Sequence, residues 1–529
     1  MNTAIWYDFP PIAELLAVAQ QHKRLAICLP DKTLPDWVYR PENPSEQAFY
    51  QRWQQQKSCV QFLAVNLFSD LLPDAELWLL PPVCWQNLAD YFEADELSWQ
   101  TKAIETKEKT AIKPWFMPSA VSPVSQVAVI GAGLAGAATA YALAKRGVKI
   151  LVLEKNTIAH AASGNHQGLL YAKISAHATE QSELLLGAYG YTRRLIEQLL
   201  PDSDAWQACG VLHVNHDANE TKRNAQLAQQ NEHRSIYHHV NQEFASEVAG
   251  VGVPNDALFW QQGVSLNPPS FARALLNHAN ISVHENCTLE SLTLGETEHV
   301  LHTSQGIFSA SHIVFCTGAD SKKIAELQHL PWQMIRGQTS LVPARADLPL
   351  KTALSGASYI SPAWQGWHCY GASFVPHDEG DDWRLSEEIH NQNELHQLCP
   401  ELAQKLLPSA DGMENLPRGR AAIRCDSPDH LPTVGAIADD AALKQVYAKL
   451  ALDKNYRLNA PCPYLPRVYV NAAHGSRGIA TAPWCAEAIA AEILGFPHPF
   501  SARLRAALHP NRHSIRTIIR HSKKQANPL

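Results

Sequence analysis

The apolar positions of this chain change period several times, most sharply between Gln126 and Lys155. Val127-Ala128-Val129-Ile130 is an unbroken apolar run, the pattern of a strand buried on both faces of a parallel sheet. The stretch GAGLAGAATAYALAKRG then carries apolar residues at helical spacing and closes on Gly147. KILVLEK returns to a buried-strand pattern and completes a strand–helix–strand unit. Further on, GVLHV, HIVFCTG and YISPAWQGWHCYGASF read as strands, whereas PPSFARALLNHA and SEEIHNQNELHQLC read as helices. The mixture predicts an α/β protein in which a doubly wound domain is interrupted by a mostly antiparallel one.

Residues 1–118 read differently. The runs LAICL and AELWLLPPVCW, and seven of the fourteen Trp, point to a small folded α/β accessory region. The first glycine of the chain is Gly131, so this region has no glycine loop to hold a nucleotide phosphate. TKAIETKEKTAIK (101–113) followed by PWFMPSAVSP reads as a linker into the next domain. A length of 529 residues with 46% hydrophobic and 18% charged positions excludes a disordered chain and allows several domains. Eleven scattered Cys without a CxxC give no support for a zinc ribbon or a thioredoxin-like motif. The start MNTAIWYDFPP has neither a basic nor an apolar signal region, so the expectation is a cytoplasmic protein with reduced thiols and no membrane association. His233, His238 and His239 lack metal-ligand spacing, and no metal is expected. P-loop, HExxH and GxSxG motifs are absent.

Gly131-x-Gly133-x-x-Gly136 follows the first strand and opens the helix, the arrangement that seats a pyrophosphate on a helix N-terminus. Glu154 ends the second strand, where an acid binds ribose hydroxyls and disfavours a 2′-phosphate. The fingerprint serves FAD and NAD alike. Three later segments bear on the choice. Ala162-Ser163-Gly164-Asn165-His166-Gln167-Gly168 is a loop of small residues suited to lie against a flavin. Ile313 to Ala319 is a buried strand ending in a turn at Gly318. Val468-Tyr469-Val470-Asn471 leads to His474-Gly475-Ser476-Arg477-Gly478-Ile479 and a helix from about Ala482, able to present N–H groups to an anion.

Taken in order, GAGLAG, LEK, ASGN, FCTGA, RGQ at 336–338, IRCDSPDHLPTVG and HGSRGI resemble the D-amino-acid oxidase family of flavoproteins, which includes glycine and sarcosine oxidases. Within it, ASGNHQGLLYAKIS, RAAIRCDSPDHLPTVG, HGSRGIATAPWCAEAIAAEI and LHPNRHSIRTIIR are similar to the FAD domain of the bacterial bifunctional enzymes that modify the tRNA wobble uridine, over about residues 114–520. The resemblance implies a Rossmann-type FAD-binding domain (119–200, 265–335 and 413–500) interleaved with a substrate domain (201–264 and 336–412). It implies FAD as cofactor, held by Gly131, Gly133, Gly136, Glu154, Ser163, Gly164, Asn165, Gln167, Gly318, Gly475, Ser476, Arg477, Gly478 and Ile479. The implied reaction oxidises 5-carboxymethylaminomethyl-(2-thio)uridine in tRNA to the 5-aminomethyl product with release of glyoxylate. The usual methyltransferase half is not recognisable, so methyl transfer is expected to be missing or to fall to a separate methyltransferase. Residues 1–118 are open to reading as a degenerate remnant or as an RNA-binding module.

The resemblance also assigns roles at the substrate. Arg424, in IRCDSPDHLP, matches the arginine that binds the substrate carboxylate in the related oxidases; the competing reading pairs it with Asp426 or Asp429. Arg477 and Tyr359 are the next candidates, and His474 is better read as a satisfied interior residue. The last 29 residues carry seven Arg and Lys with no Asp or Glu, so this tail (501–529) holds +7 while the remaining 500 residues hold −14. Arg512, Arg516 and Arg520 share one helix face at i, i+4, i+8 and, with Lys523 and Lys524, are expected to contact tRNA phosphates. The alternative is a solvated helix packed through Ile515, Ile518 and Ile519. Two further functions stay open: a small-molecule amine or amino-acid oxidase, and a flavin-containing tRNA-binding protein without turnover.

Overall fold

The computed structural model of the chain describes residues 3–31, 34, 36–37, 43–92, 97–100, 110–230, 235–407 and 419–526. The apolar runs around the fingerprint form a six-stranded sheet in the order Ile281–His284, Lys149–Leu153, Gln126–Ile130, His312–Phe315, Tyr464–Ala472 and Thr433–Ala438. All neighbours are parallel except the last pair. After their first residues its central strands are apolar, because helices cover one face and a three-stranded meander, Leu289–Thr293, His299–Thr303 and Gly306–Ala310, helps to cover the other.

A nine-stranded, mostly antiparallel sheet forms the second layer, with Gln333–Pro343 as its longest strand. Arg420–Asp426 pairs with the first seven residues of that strand, Gln333 to Thr339. This corrects the expected boundary at residue 413: the antiparallel sheet extends to Asp426 before the chain re-enters the parallel one. Alternation along Gln333–Pro343 sorts its side chains. Arg336 and Ser340 face the helix Leu385–Leu398, where Arg336 Nε donates to Glu387 at 2.6 Å and Ser340 donates to Glu388 at 2.7 Å. Ile335, Gly337 and Thr339 face the opposite way, toward the glycine loops of the parallel sheet.

Residues 3–100 build a five-stranded sheet in the order Asn66–Phe68, Glu76–Leu80, Arg24–Cys28, Thr3–Trp6 and Leu97–Gln100, parallel except at the first strand. One face packs Leu25, Ile27, Leu77 and Leu79 against Phe49 and Trp53. The other, with Ile5, Ala26, Trp78 and Leu80, joins the core around the helix Glu180–Leu199. A buried charge network pins this seam. Glu487 accepts from Arg146 at 2.7 Å and from Tyr191, Lys145 lies 2.9 Å away, and Arg146 also pairs with Glu76 of the N-terminal sheet. Arg194 donates across the seam to Leu67 O at 3.0 Å. The linker residues 101–109 lie outside the described residues. No described helix is long and apolar enough to cross a membrane.

Candidate active site

Gly131 sits at the end of its strand with φ +103°, a conformation that favours glycine, and a Cβ there would press on Cys316 O at 2.6 Å. The helix Leu134–Ala144 starts at once, capped by Ser163 Oγ, which accepts from Leu134 N at 3.0 Å. Glu154 accepts from Ala132 N at 2.7 Å and from Asn156 N at 2.9 Å, so the carboxylate is fixed beside the glycine turn. Each of its oxygens keeps a lone pair for a ribose hydroxyl. Gln167 is held through its Nε2 by Ser265 Oγ at 3.0 Å and Pro362 O at 2.8 Å, while its Oε1 is buried without a partner. Bare glycine backbone at a helix N-terminus, a fixed acid and an unpartnered buried amide oxygen fit a dinucleotide such as FAD.

The second glycine loop enters from the other side of the fold. Gly475 takes φ +55°, Gly475–Arg477 forms a single turn, and the helix Gly478–Leu494 follows directly. The helix thus begins four residues earlier than the sequence pattern suggested, with its N-terminus inside the loop. Ile479 packs against Gly168, which joins the two cofactor loops. Gly318 also takes a positive φ, +50°, at the turn after His312–Phe315. Among the described residues no hydrogen bond of the Asn165 or Ser476 side chain fixes either residue further.

The strand Arg420–Asp426 lies between these loops. Its first residue touches Gly164, and Asp426 at its far end lies against Gly475. Register places Arg424 opposite Ile335 and Ala422 opposite Gly337, so Arg420, Ala422 and Arg424 share the face turned toward the loops. The Arg424 guanidinium folds over Gly337, where any Cβ would overlap it. Its Nη1 donates to Ser373 O at 3.2 Å. Neither Asp426 nor Asp429 pairs with it: Asp426 accepts from His430 at 2.7 Å, and Asp429 holds Arg512 at 3.0 Å and also Arg516. Among the described residues Arg424 has no carboxylate at ion-pair distance. Burial lowers its pKa, and the titratable groups facing it are Tyr359 and Glu387, the latter already bonded to Arg336.

Tyr359 lies beside Arg424 with its hydroxyl 3.6 Å from Cys369 Sγ, and burial raises the phenol well above its ordinary range, so it is neutral. Arg477 is half-buried at the helix start, faced by Asp426 and Tyr171, and no described carboxylate pairs with it. His474 is a satisfied interior residue, bonded to Thr481 at 2.9 Å and Asn471 at 3.0 Å, and burial lowers its pKa to about 3.

The expected phosphate stripe changes character. Arg512 is 2% exposed and bonds Asp429, Leu508 O and Leu431 O, so it locks the helix Asn511–Ala526 onto the domain and corrects the expectation of a tRNA contact. Arg516 is exposed but pairs with Asp429, and Arg520 is exposed. The side chains of Lys523 and Lys524 lie outside the described residues, as does His233. Ile515 and Ile518 pack on Tyr447 and Leu450. Sequence reasoning missed Gly337 as the seat of Arg424, together with Ser373 and Cys369. The signal for Gly337 was its position in RGQ, a glycine inside a strand, which marks close approach. His213, His216 and Glu220 bring possible metal ligands together, but Arg223 and Lys173 already ion-pair with Glu220 there.

Residues 126–492 match the family model described as FAD-dependent oxidoreductase, and the chain belongs to that family. Its cofactor is FAD. The chain is 40% identical over 415 residues to the tRNA 5-methylaminomethyl-2-thiouridine biosynthesis bifunctional protein MnmC of Pseudomonas savastanoi pv. phaseolicola, covering 78% of this chain and 62% of that one. It is 39% identical to the protein of the same name from Chromobacterium violaceum, over 77% of this chain and 62% of that one. The chain therefore matches less than two thirds of the length of these relatives. Among solved structures it is similar in fold to glycine oxidase from Geobacillus kaustophilus, at TM-score 0.60 and 20% identity over 74% of this chain and 99% of that one. Iminodiacetate oxidase from Chelativorans sp. BNC1 superposes with TM-score 0.58 at 17% identity, over 73% and 98% of the two chains.

Proposed function

We propose that this chain oxidises the carboxymethylaminomethyl side chain of 5-carboxymethylaminomethyl-(2-thio)uridine at the wobble position of tRNA. The products are the 5-aminomethyl nucleoside and glyoxylate. What carries the reading is Arg424, a half-buried guanidinium that pairs with no described carboxylate on the face turned to the cofactor loops. A substrate whose reacting carbon bears a carboxylate supplies the missing partner through two parallel hydrogen bonds. FAD, which the glycine loops and Glu154 would hold, would accept a hydride, the methylene hydrogen with both electrons of its C–H bond, while the amine nitrogen gives up its proton to solvent; dioxygen is the final oxidant. The C–N bond becomes an imine, and water adds across it. The water oxygen leaves in glyoxylate, and nitrogen remains on the uridine side chain as the amine.

The protein's share is binding and orientation. Arg424 fixes the carboxylate, Gly337 leaves room for the guanidinium, and Ser373 O holds its inner nitrogen. Tyr359, neutral, borders the carboxylate without competing for the amine proton. Arg477, at the N-terminus of Gly478–Leu494, would add positive potential favourable to a reduced, anionic flavin. The relatives at about 40% identity, whose name specifies a wobble-uridine modification, support RNA as the carrier of the amine. The reaction takes place in the cytoplasm. Incubation with tRNA bearing the carboxymethylaminomethyl group, followed by nucleoside digestion, tests this. The expected result is loss of that nucleoside and gain of the aminomethyl one with equimolar glyoxylate. An unchanged nucleoside beside ready turnover of free glycine or sarcosine would favour a small-amine oxidase.

A further inference from the structure

The face that carries Arg424 has two more residues with unmet chemistry. Ser373 points to the far side of the sheet, where its hydroxyl donates to Glu387 and accepts from Gln338 N at 2.8 Å. Val375 and Pro376 pair with Arg336 and Ile335, and carrying this register back one residue sets Phe374 at the level of Gly337, on the Arg424 side; its ring is 56% exposed. It adjoins the carbonyl that holds Arg424. Arg420 lies opposite Thr339, two pairs along from Ala422 and on the same face. It stands four residues from Arg424, about 13 Å along the strand. Its Nη2 donates to His160 O, its Nη1 is buried without a partner, and its guanidinium lies against Gly164. Asp381 faces it without closing an ion pair. The neighbouring cations differ: Lys155 and Lys323 pair with Asp320, Lys322 with Glu379, and Arg384 with Asp378.

An exposed aromatic ring and a guanidinium with no ion pair among the described residues, flanking a carboxylate-binding arginine on one sheet face, are the two contacts a single-stranded nucleotide offers partners for. An aromatic face stacks a base, and a cation holds a phosphodiester. We propose that Phe374 and Arg420 form the RNA-reading mouth of the site: Phe374 stacks a nucleobase of the unpaired anticodon loop, and Arg420 binds a backbone phosphate. This rests on the proposed tRNA reaction. It also moves the RNA footprint from the C-terminal helix, where Arg512 is buried, to the rim of the substrate sheet.

Titrating a labelled anticodon stem-loop carrying the carboxymethylaminomethyl group against the flavin-loaded full chain, at several salt concentrations, separates the two contacts. Phe374→Ala is expected to raise Kd at least about five-fold with the salt slope unchanged, and Phe374→Tyr to restore wild-type binding. Arg420→Ala is expected to weaken binding and to flatten the slope of log K against log salt by about 0.7–0.9, the change that follows when one phosphate fewer is neutralised. Both variants are expected to keep their flavin absorbance. Unchanged Kd and slope in both, with the wild type still releasing glyoxylate from modified tRNA, overturn the mouth and leave the reaction standing. A wild type that releases none overturns the reaction itself. Loss of flavin from Arg420→Ala assigns that residue to the dinucleotide's own phosphates and overturns its RNA role.

Discussion

Arg424 is a half-buried cation whose hydrogen bond among the described residues goes to a carbonyl, and a bound carboxylate would complete its coordination. Arg424→Met is expected to raise KM for the carboxylate-bearing substrate by ~2–5 kcal/mol of binding energy, because the substrate charge is then buried unpaired. The flavin spectrum checks that the variant still holds its cofactor. Arg424→Lys is expected to recover only part of the loss, since a point charge cannot make the two-pronged contact. Gly337→Ala probes the same contact from beneath. A methyl there overlaps the guanidinium, so KM is expected to rise with thermal stability little changed. Arg424 was legible in the sequence from IRCDSPDHLP, but its vacancy was not. That vacancy depends on Asp426 and Asp429 being taken by His430 and Arg512, pairings set by tertiary structure.

Among the elements, the fingerprint unit was legible because its constraints are local. A strand end, a positive φ at Gly131 and close packing at Gly136 leave glycine as the residue that fits. Arg420–Asp426 was not legible as part of the substrate sheet, since RAAIRCD shows no simple alternation of apolar and polar residues. Its two arginines look like surface positions until Gln333–Pro343 is laid beside them. The C-terminal helix shows the converse. A spacing of i, i+4, i+8 puts Arg512 and Arg516 on one face, but it cannot say that Asp429 waits beneath that face. The N-terminal sheet is tied to the cofactor helices by Glu487, whose pKa is lowered chiefly by Arg146 and Lys145 against the cost of burial. Glu487→Ala leaves Arg146 and Lys145 short of a carboxylate, and the expected cost is about 3–5 kcal/mol, read by chemical denaturation.

Across the whole molecule, several histidines are buried neutral. His474 and His509 both have pKa values lowered to about 3, mainly by burial, with Arg505 and Arg512 adding to the effect at His509. The unfolded chain, with ordinary histidines near 6.5, takes up these protons first. Stability is therefore fully present above about pH 6.5 and falls as the pH drops toward 3. Between pH 6.5 and 5 each of the two is expected to cost about 2 kcal/mol, which a pH series of unfolding midpoints would register. Charge is divided at this scale too: the acidic bulk repels RNA in general, so recognition has to be local and chemically specific. That places the weight of the functional reading on the residues around Arg424. The most direct test is an anaerobic titration of the flavin-loaded protein with tRNA carrying the carboxymethylaminomethyl group, following the visible flavin bands. Stoichiometric bleaching by this tRNA, and none by tRNA lacking the group, is the predicted result. Bands that persist with the modified tRNA but bleach with free sarcosine or glycine would contradict it.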